Sequence, residues 1–139
     1  MEAIYTASAI ATGDGRNGRV RSSDGILDLN LAIPKEMGGP GGAHSNPEML
    51  FASGYSACFH SALKVAARMK KIALGDTTVT VEVGIGSNGQ GGYQLQAAIE
   101  VQIPDVDEAT ARELIEAAHQ ICPYSNATRG NIEVTLNLA

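Results

Sequence analysis

A chain of 139 residues that is 44% hydrophobic and 18% charged is long enough to form one domain with a substantial core. Its formal net charge of -5 argues against a general nucleic-acid-binding protein, because such proteins need basic residues to neutralise phosphates. The most apolar stretch, residues 49–63, is shorter than the roughly 20 residues that span a membrane. The N-terminus lacks the pattern of a signal peptide, so we expect a soluble, cytoplasmic protein.

The first third of the chain predicts a small antiparallel meander. Alternating residues at 2–12, 19–22 and 26–33 suggest three strands, and the turns between them are rich in glycine, aspartate and asparagine. A glycine-rich connection at 38–42 follows the third strand.

A long helix is predicted from Asn46 to about Lys71. Asn46 is a favourable N-cap, Pro47 suits the first helical position, and Glu48 is an acid in the first turn. The first part of this helix carries almost no charge on any face, so it should be buried on all sides. One short chain with small sheets has difficulty in covering such a helix, which favours a partner copy.

The second half of the chain predicts two strands, an amphipathic helix and a final strand. These elements lie at residues 77–85, 93–103, 107–122 and 132–138. The element order is therefore βββ-α-ββ-α-β. We predict a single α+β domain over residues 1–139, with antiparallel sheets packed on the long central helix.

Neither a dinucleotide site nor a metal site is expected. Residues 84–89 match the pattern GxGxxG, but a strand follows where a dinucleotide site needs a helix, so a hairpin turn is the better interpretation. Cys58 and His60 are two residues apart on a helix and point to different faces, so they do not form a chelating pair.

Four residues are candidates for chemistry, and each also has a plainer explanation. Cys58 lies within the apolar helix and Cys122 directly precedes Pro123, and free cysteines are often buried core residues. Arg16 lies in a polar turn, where a solvated charge is common, and Glu48 suits a helix N-terminus. Without a secretion signal, a permanent disulfide is not expected. These residues alone leave open two inert thiols or a pair that reacts in turn.

Five segments of the chain form a recognisable set. They are residues 5–7 (YTA), 15–18 (GRNG), 38–42 (GGPGG), 46–59 (NPEMLFASGYSACF) and 122–132 (CPYSNATRGNI). Together they resemble the organic hydroperoxide resistance (Ohr) family within the Ohr/OsmC group. The two segments that contain cysteine are the most specific.

The resemblance implies a thiol peroxidase that reduces organic hydroperoxides, including those of fatty acids, to alcohols. It assigns Cys58 as the peroxidatic thiol and Cys122 as the resolving thiol, and it assigns Arg16 and Glu48 as the pair that organises Cys58. It further implies an intertwined homodimer that is reduced by a lipoylated protein or a small dithiol. No metal, flavin or haem is implied.

Activation of Cys58 should depend on a cation. Cys58 lies about a dozen residues into its helix, whereas the helix dipole acts only within the first turn. An apolar setting raises a thiol pKa, so we expect Arg16 to stabilise the thiolate and the departing alkoxide, with Glu48 fixing the guanidinium. An apolar wall that selects alkyl hydroperoxides is expected from Phe51, Tyr55, Phe59 and residues 37–43.

Helix geometry suggests that each site is shared between two subunits. Glu48 and Cys58 are separated by ~15 Å along the axis of one helix and lie on different faces. We therefore expect that one subunit supplies Cys58 and Cys122, and that the other supplies the pair of Arg16 and Glu48.

Two other functions remain open. Cys58 could be an acyl-transfer nucleophile with His60 or His119 as its base, in which case Cys122 is not needed. Alternatively, the chain could form a non-catalytic dimer that senses peroxide or binds a ligand.

Overall fold

The computed structural model describes all 139 residues and contains six β-strands and three α-helices. Their bounds are β1 (Ala9–Thr12), β2 (Arg19–Ser22), β3 (Asp28–Asn30), α1 (Pro47–Met69), β4 (Thr78–Ser87), β5 (Tyr93–Gln102), α2 (Glu108–Ile121), α3 (Pro123–Thr128) and β6 (Val134–Leu138). The chain divides into two compact units, Met1–Leu50 and Phe51–Ala139. The single domain over residues 1–139 stays a prediction.

The first unit contains the predicted antiparallel meander, in the strand order β1-β2-β3. The first strand begins at Ala9 rather than at residue 2. Its partner strand β2 ends at Ser22, directly opposite Ala9, and the chain then turns at residues 23–25. Residues 2–7 therefore lie beyond the end of the strand with which they could pair, and the Ser8 carbonyl accepts the last bond of the pair from the Ser23 N–H.

The helix α1 begins as its cap residues predict. The Asn46 side-chain oxygen accepts a hydrogen bond of 2.8 Å from the Met49 backbone N–H, which satisfies one of the free donors of the first turn. The helix ends at Met69, slightly before the expected residue, because Lys71 adopts a left-handed conformation with φ of 57°.

The second unit contains a mixed sheet in the order β4-β5-β6. Strands β4 and β5 are antiparallel, as expected, with Val81 opposite Ile99. Strand β6 runs parallel to β5, with Leu136 opposite Ile99, which differs from the expected antiparallel arrangement. The reason is that α2 and α3 form a crossover between these two strands, and a crossover returns the chain in the same direction. The predicted α+β class is confirmed.

A third helix, α3, lies in the segment between the predicted helix at 107–122 and the predicted final strand. Cys122 has extended backbone angles, φ of -63° and ψ of 121°, which end α2 and precede Pro123 at the start of α3. Residues before proline disfavour the helical region, whereas proline itself suits a first helical position. A helix of six residues is too short to show a periodic pattern.

The core of the second unit lies between α1, β5 and α2. Its most deeply buried apolar side chains include Tyr55, Phe59 and Leu63 of α1, Ile99 and Val101 of β5, and Leu114 and Ala118 of α2. The chain covers α1 on one side only, because Ser53, Ala57 and Ser61 are exposed. None of the helices has the length and apolar character that a membrane span requires.

Candidate active site

The structure brings the two cysteines together within the second unit. Cys58 is half-buried in α1, and Cys122 is fully buried at the junction of α2 and α3. Burial raises the pKa of Cys58, the backbone N–H of Tyr124 lowers it, and the Cys122 thiol raises it again through a hydrogen bond and through charge. Both cysteines are free thiols, so the two side chains interact without a covalent bond.

A close approach at Gly54 allows this contact. Gly54 and Cys58 are four residues apart on α1 and therefore lie on the same face. A Cβ atom at Gly54 would lie 2.4 Å from the Tyr124 hydroxyl, so no larger residue fits beneath that ring without displacing it. Tyr124 follows Cys122 by two residues, and its packing on α1 brings Cys122 towards Cys58.

Three aromatic rings pack against one another in the second unit. Tyr124 lies 5.5 Å from Tyr55 and 5.8 Å from Phe51 between ring centroids. The prediction of an apolar substrate wall is wrong for Tyr55 and Phe59, since both are fully buried in the core. Phe51 and Tyr124 are only partly buried. An aromatic residue on an apolar helix is equally consistent with the protein core and with the wall of a substrate site. Tyr124 lies in a segment without periodic hydrophobicity, so no sequence pattern indicated its position.

A buried hydrogen-bond network joins α3 to the two helices before it. The Tyr55 hydroxyl lies 2.8 Å from Ser125 Oγ and 3.1 Å from Thr128 Oγ1. Ser125 Oγ also lies 2.8 Å from Nδ1 of His119 in α2. We call these four residues the Tyr55 network. No chemical motif in the sequence indicated it.

The two histidines proposed as bases are engaged elsewhere. Burial, and then the charge of Arg129, lower the pKa of His119, while Glu116 raises it. His60 Nε2 lies 2.7 Å from Thr77 Oγ1, and burial followed by the charge of Lys64 lowers its pKa. Neither imidazole is hydrogen-bonded to a cysteine, so neither histidine is placed to act as the base in an acyl-transfer reaction.

The first unit contains the second half of the predicted site. Arg16 lies in a 3₁₀ turn, Gly15–Asn17, and Glu48 lies in the first turn of α1. The guanidinium donates two hydrogen bonds to the carboxylate, of 2.8 Å to Oε2 and 2.6 Å to Oε1. This bidentate geometry fixes the plane of the guanidinium. The expected ion pair is therefore present, and its action on Cys58 stays a prediction.

The ion pair keeps Glu48 charged. The Glu48 side chain is 13% exposed and that of Arg16 is 33% exposed. The hydrogen bonds from Arg16 lower the pKa of Glu48 more than its burial raises it. No group of three or more His, Cys, Asp and Glu side chains is placed to hold a metal ion.

Comparison with known proteins identifies the family. The family model described as OsmC-like protein matches residues 39–137. The chain belongs to the Ohr/OsmC family. It is 50% identical over 137 residues to the organic hydroperoxide resistance protein of Xanthomonas axonopodis pv. citri (strain 306), which covers 98% of this chain and 95% of that protein. It is 41% identical over 139 residues to organic hydroperoxide resistance protein OhrB of Bacillus subtilis (strain 168), which covers 98% of each.

Solved structures of the family share the whole fold. The crystal structure of an organic hydroperoxide resistance protein from Elizabethkingia anophelis, with thiocyanate bound, superposes with a TM-score of 0.95 at 52% identity. This match covers 100% of the present chain and 99% of the other. The resemblance stated from the sequence segments is thereby confirmed.

Replacement of Gly54 by alanine should destabilise this Ohr/OsmC protein. Alanine in a helix interior normally gains about 1 kcal/mol over glycine, but the new methyl group displaces the Tyr124 ring, and overpacking costs about 1–3 kcal/mol. We expect a net loss of unfolding free energy, measured by urea denaturation. In a Tyr124→Ala background the same Gly54→Ala change should stabilise the protein. A stabilising effect in both backgrounds would contradict the close approach.

The Arg16–Glu48 pair should make stability depend on pH. Because the pKa of Glu48 is lowered in the folded protein, its contribution is present above the ordinary carboxyl pKa and is lost as the pH falls through the folded value. The stability difference between wild type and Glu48→Gln should therefore shrink as the pH falls below about 5. Urea denaturation at each pH measures it. Glu108→Gln is the control, because its ion pair with Arg112 is exposed and contributes little.

Proposed function

We propose that this protein is a thiol-dependent peroxidase that reduces organic hydroperoxides to alcohols and thereby protects against oxidative stress. The observation that carries the proposal is the contact between the Cys58 and Cys122 thiols. Relatives that are 50% and 41% identical are named organic hydroperoxide resistance proteins, which supports this substrate class.

The proposed cycle uses each cysteine once. The Cys58 thiolate attacks one oxygen of the hydroperoxide, the O–O bond breaks, and the alkoxide leaves and takes up a proton. Cys58 is then a sulfenic acid. The Cys122 thiol attacks the Cys58 sulfur, a disulfide forms and water leaves. A lipoylated protein or a small dithiol then returns two electrons to the disulfide by thiol–disulfide exchange. Because the cysteines carry both electrons, the cycle needs no metal, flavin or haem.

Cys58 requires a cation from outside its own unit. The groups that act on its pKa are burial, the Tyr124 N–H and the Cys122 thiol, and none of them is a cation. Lowering the thiol pKa from ~8.5 to ~6 gives only a few-fold gain in rate at pH 7, because intrinsic nucleophilicity falls with the pKa. In our proposal Arg16 therefore also donates hydrogen bonds to the departing alkoxide.

We propose that a partner subunit in a homodimer supplies Arg16 and Glu48. Glu48 and Cys58 belong to the same α1 helix but are ~15 Å apart along its axis. The uncharged side of α1 with Ser53, Ala57 and Ser61 is exposed, which leaves room for a second copy. Large apolar side chains of the first unit are exposed as well, namely Ile4, Tyr5, Ile10 and Ile26. A cytoplasmic location stays part of the proposal.

Mass spectrometry of the oxidised protein tests the two-thiol cycle. Reduced protein treated with one equivalent of cumene hydroperoxide should lose two hydrogens and contain a disulfide between Cys58 and Cys122 of the same chain. Cys58→Ser should lower turnover with dihydrolipoamide by more than about 1,000-fold, because the nucleophile is gone. Over-oxidised Cys58 with an untouched Cys122 thiol would contradict the cycle.

The same samples distinguish the two other functions. A peroxide sensor would form the disulfide but would not turn over with dihydrolipoamide. An acyl-transfer enzyme would hydrolyse thioesters, and it would retain that activity in Cys122→Ser.

Mixed dimers test whether the site is shared. If one subunit supplies Cys58 and the other supplies Glu48, a heterodimer of a Cys58→Ser chain and a Glu48→Ala chain contains one intact site. It should have about half the activity of the wild-type dimer, whereas each variant homodimer should be nearly inactive. Differently tagged chains allow the heterodimer to be purified. A heterodimer as inactive as its parents, or a fully active monomer, would rule out the shared site.

A further inference from the structure

The short helix α3 depends on contacts outside itself. Helices of this length are unstable alone, because too few hydrogen bonds offset the cost of nucleation. Two of these contacts end on the same buried group, the Tyr55 hydroxyl, which bonds to Ser125 and Thr128. Ser125 and Thr128 are themselves buried, so these bonds are shielded from water.

The position of α3 determines the position of Cys122. Cys122 is the N-cap of α3, and its carbonyl accepts a hydrogen bond of 3.0 Å from the Asn126 backbone N–H. On α1, Tyr55 and Cys58 are three residues apart, so they lie about one turn from each other on neighbouring faces. The Tyr55 network therefore holds α3 against the turn of α1 that carries Cys58, the proposed peroxidatic thiol.

We propose that the Tyr55 hydroxyl is a positioning group for the resolving step, and this inference rests on the proposed peroxidase cycle. Through Ser125 and Thr128 it keeps the Cys122 thiol against Cys58. In that step the Cys122 sulfur bonds to the Cys58 sulfur, the S–O bond of the sulfenic acid breaks, and water leaves with the thiol proton. Tyr55 touches neither reacting sulfur in this role, and it acts only through α3.

The position of Cys122 matters because the Cys58 sulfenic acid reacts in one of two ways. It condenses with Cys122 to give the disulfide, or it meets a second hydroperoxide and becomes a sulfinic acid, which a dithiol does not reduce. A well-positioned Cys122 favours the first fate at any given hydroperoxide concentration. The Tyr55 hydroxyl should therefore set the resistance of the protein to inactivation by its own substrate.

Tyr55→Phe tests the inference with little change in shape. It retains the buried ring and removes the hydroxyl that bonds to Ser125 and Thr128. Rapid quenching and mass spectrometry should give a rate of disulfide formation that is about tenfold lower, the fold-change expected from losing the net contribution of these bonds. The hydroperoxide concentration that converts half of Cys58 to sulfinic acid should fall by about the same factor. The first step, formation of the sulfenic acid, should change less than the resolving step, because α3 acts on the Cys58 thiol only through the Tyr124 N–H, whereas it sets the position of the whole Cys122 side chain.

Thr77→Val is the matched control. It removes the His60–Thr77 hydrogen bond, which also joins a histidine to a buried hydroxyl in the same unit but does not involve α3. Its partition between disulfide and sulfinic acid should equal that of wild type, even if its unfolding free energy falls as far as that of Tyr55→Phe. Thr128→Val, which removes one of the two Tyr55 bonds, should give an intermediate partition and provides a second variant if Tyr55→Phe does not fold.

A wild-type partition in both Tyr55→Phe and Thr128→Val would overturn the inference, as would an equal change in Thr77→Val. These outcomes leave the proposed function intact, since the wild-type protein still forms its disulfide. If wild-type protein forms no disulfide at all, the proposed function fails and the inference fails with it.

Discussion

The interaction between the Cys58 and Cys122 thiols underlies both steps of the proposed cycle. It requires a helix junction directly at Cys122, a glycine at position 54, and a tyrosine ring that packs on that glycine. The contact has opposite effects on the two steps of the proposed cycle. It favours disulfide formation because the sulfurs are already adjacent. It disfavours the first attack, because burial and the neighbouring thiol raise the pKa of Cys58.

In the proposed cycle, the Arg16–Glu48 pair offsets the rise in the pKa of Cys58 that burial and Cys122 cause. A guanidinium that is fixed by two short hydrogen bonds can stabilise both a thiolate and a departing alkoxide without reorganising during the reaction. Glu48 orients the cation and is itself kept ionised by it. In the proposed dimer, the thiols of each subunit become reactive only when the partner subunit supplies its Arg16–Glu48 pair. The reactive thiolate would then form only in the assembled protein.

The sequence predicted much of the fold because its signals were local. Alternating apolar and polar residues predicted the strands, and the N-cap residue Asn46 predicted the start of α1. The parallel pairing of β6 was missed although the crossover helix α2 was predicted, because no local pattern in the sequence indicates which strand β6 joins. Spacing could not bring Cys58 and Cys122 together, since nothing local links them, so their pairing came from the family resemblance alone. The buried position of Tyr55 could not be foreseen either, because an aromatic residue on an apolar helix suits a core and a substrate wall equally well.

The pKa of Cys58 tests whether burial and Cys122 oppose ionisation of this thiol and whether an external guanidinium restores it. The rate of Cys58 alkylation by iodoacetamide can be followed against pH, with mass spectrometry separating its product from that of Cys122. In the wild-type protein we expect the pKa of Cys58 to lie below that of an ordinary thiol. In Arg16→Met it should lie above that value, because burial and Cys122 then act alone. The same pKa in both proteins would contradict the account.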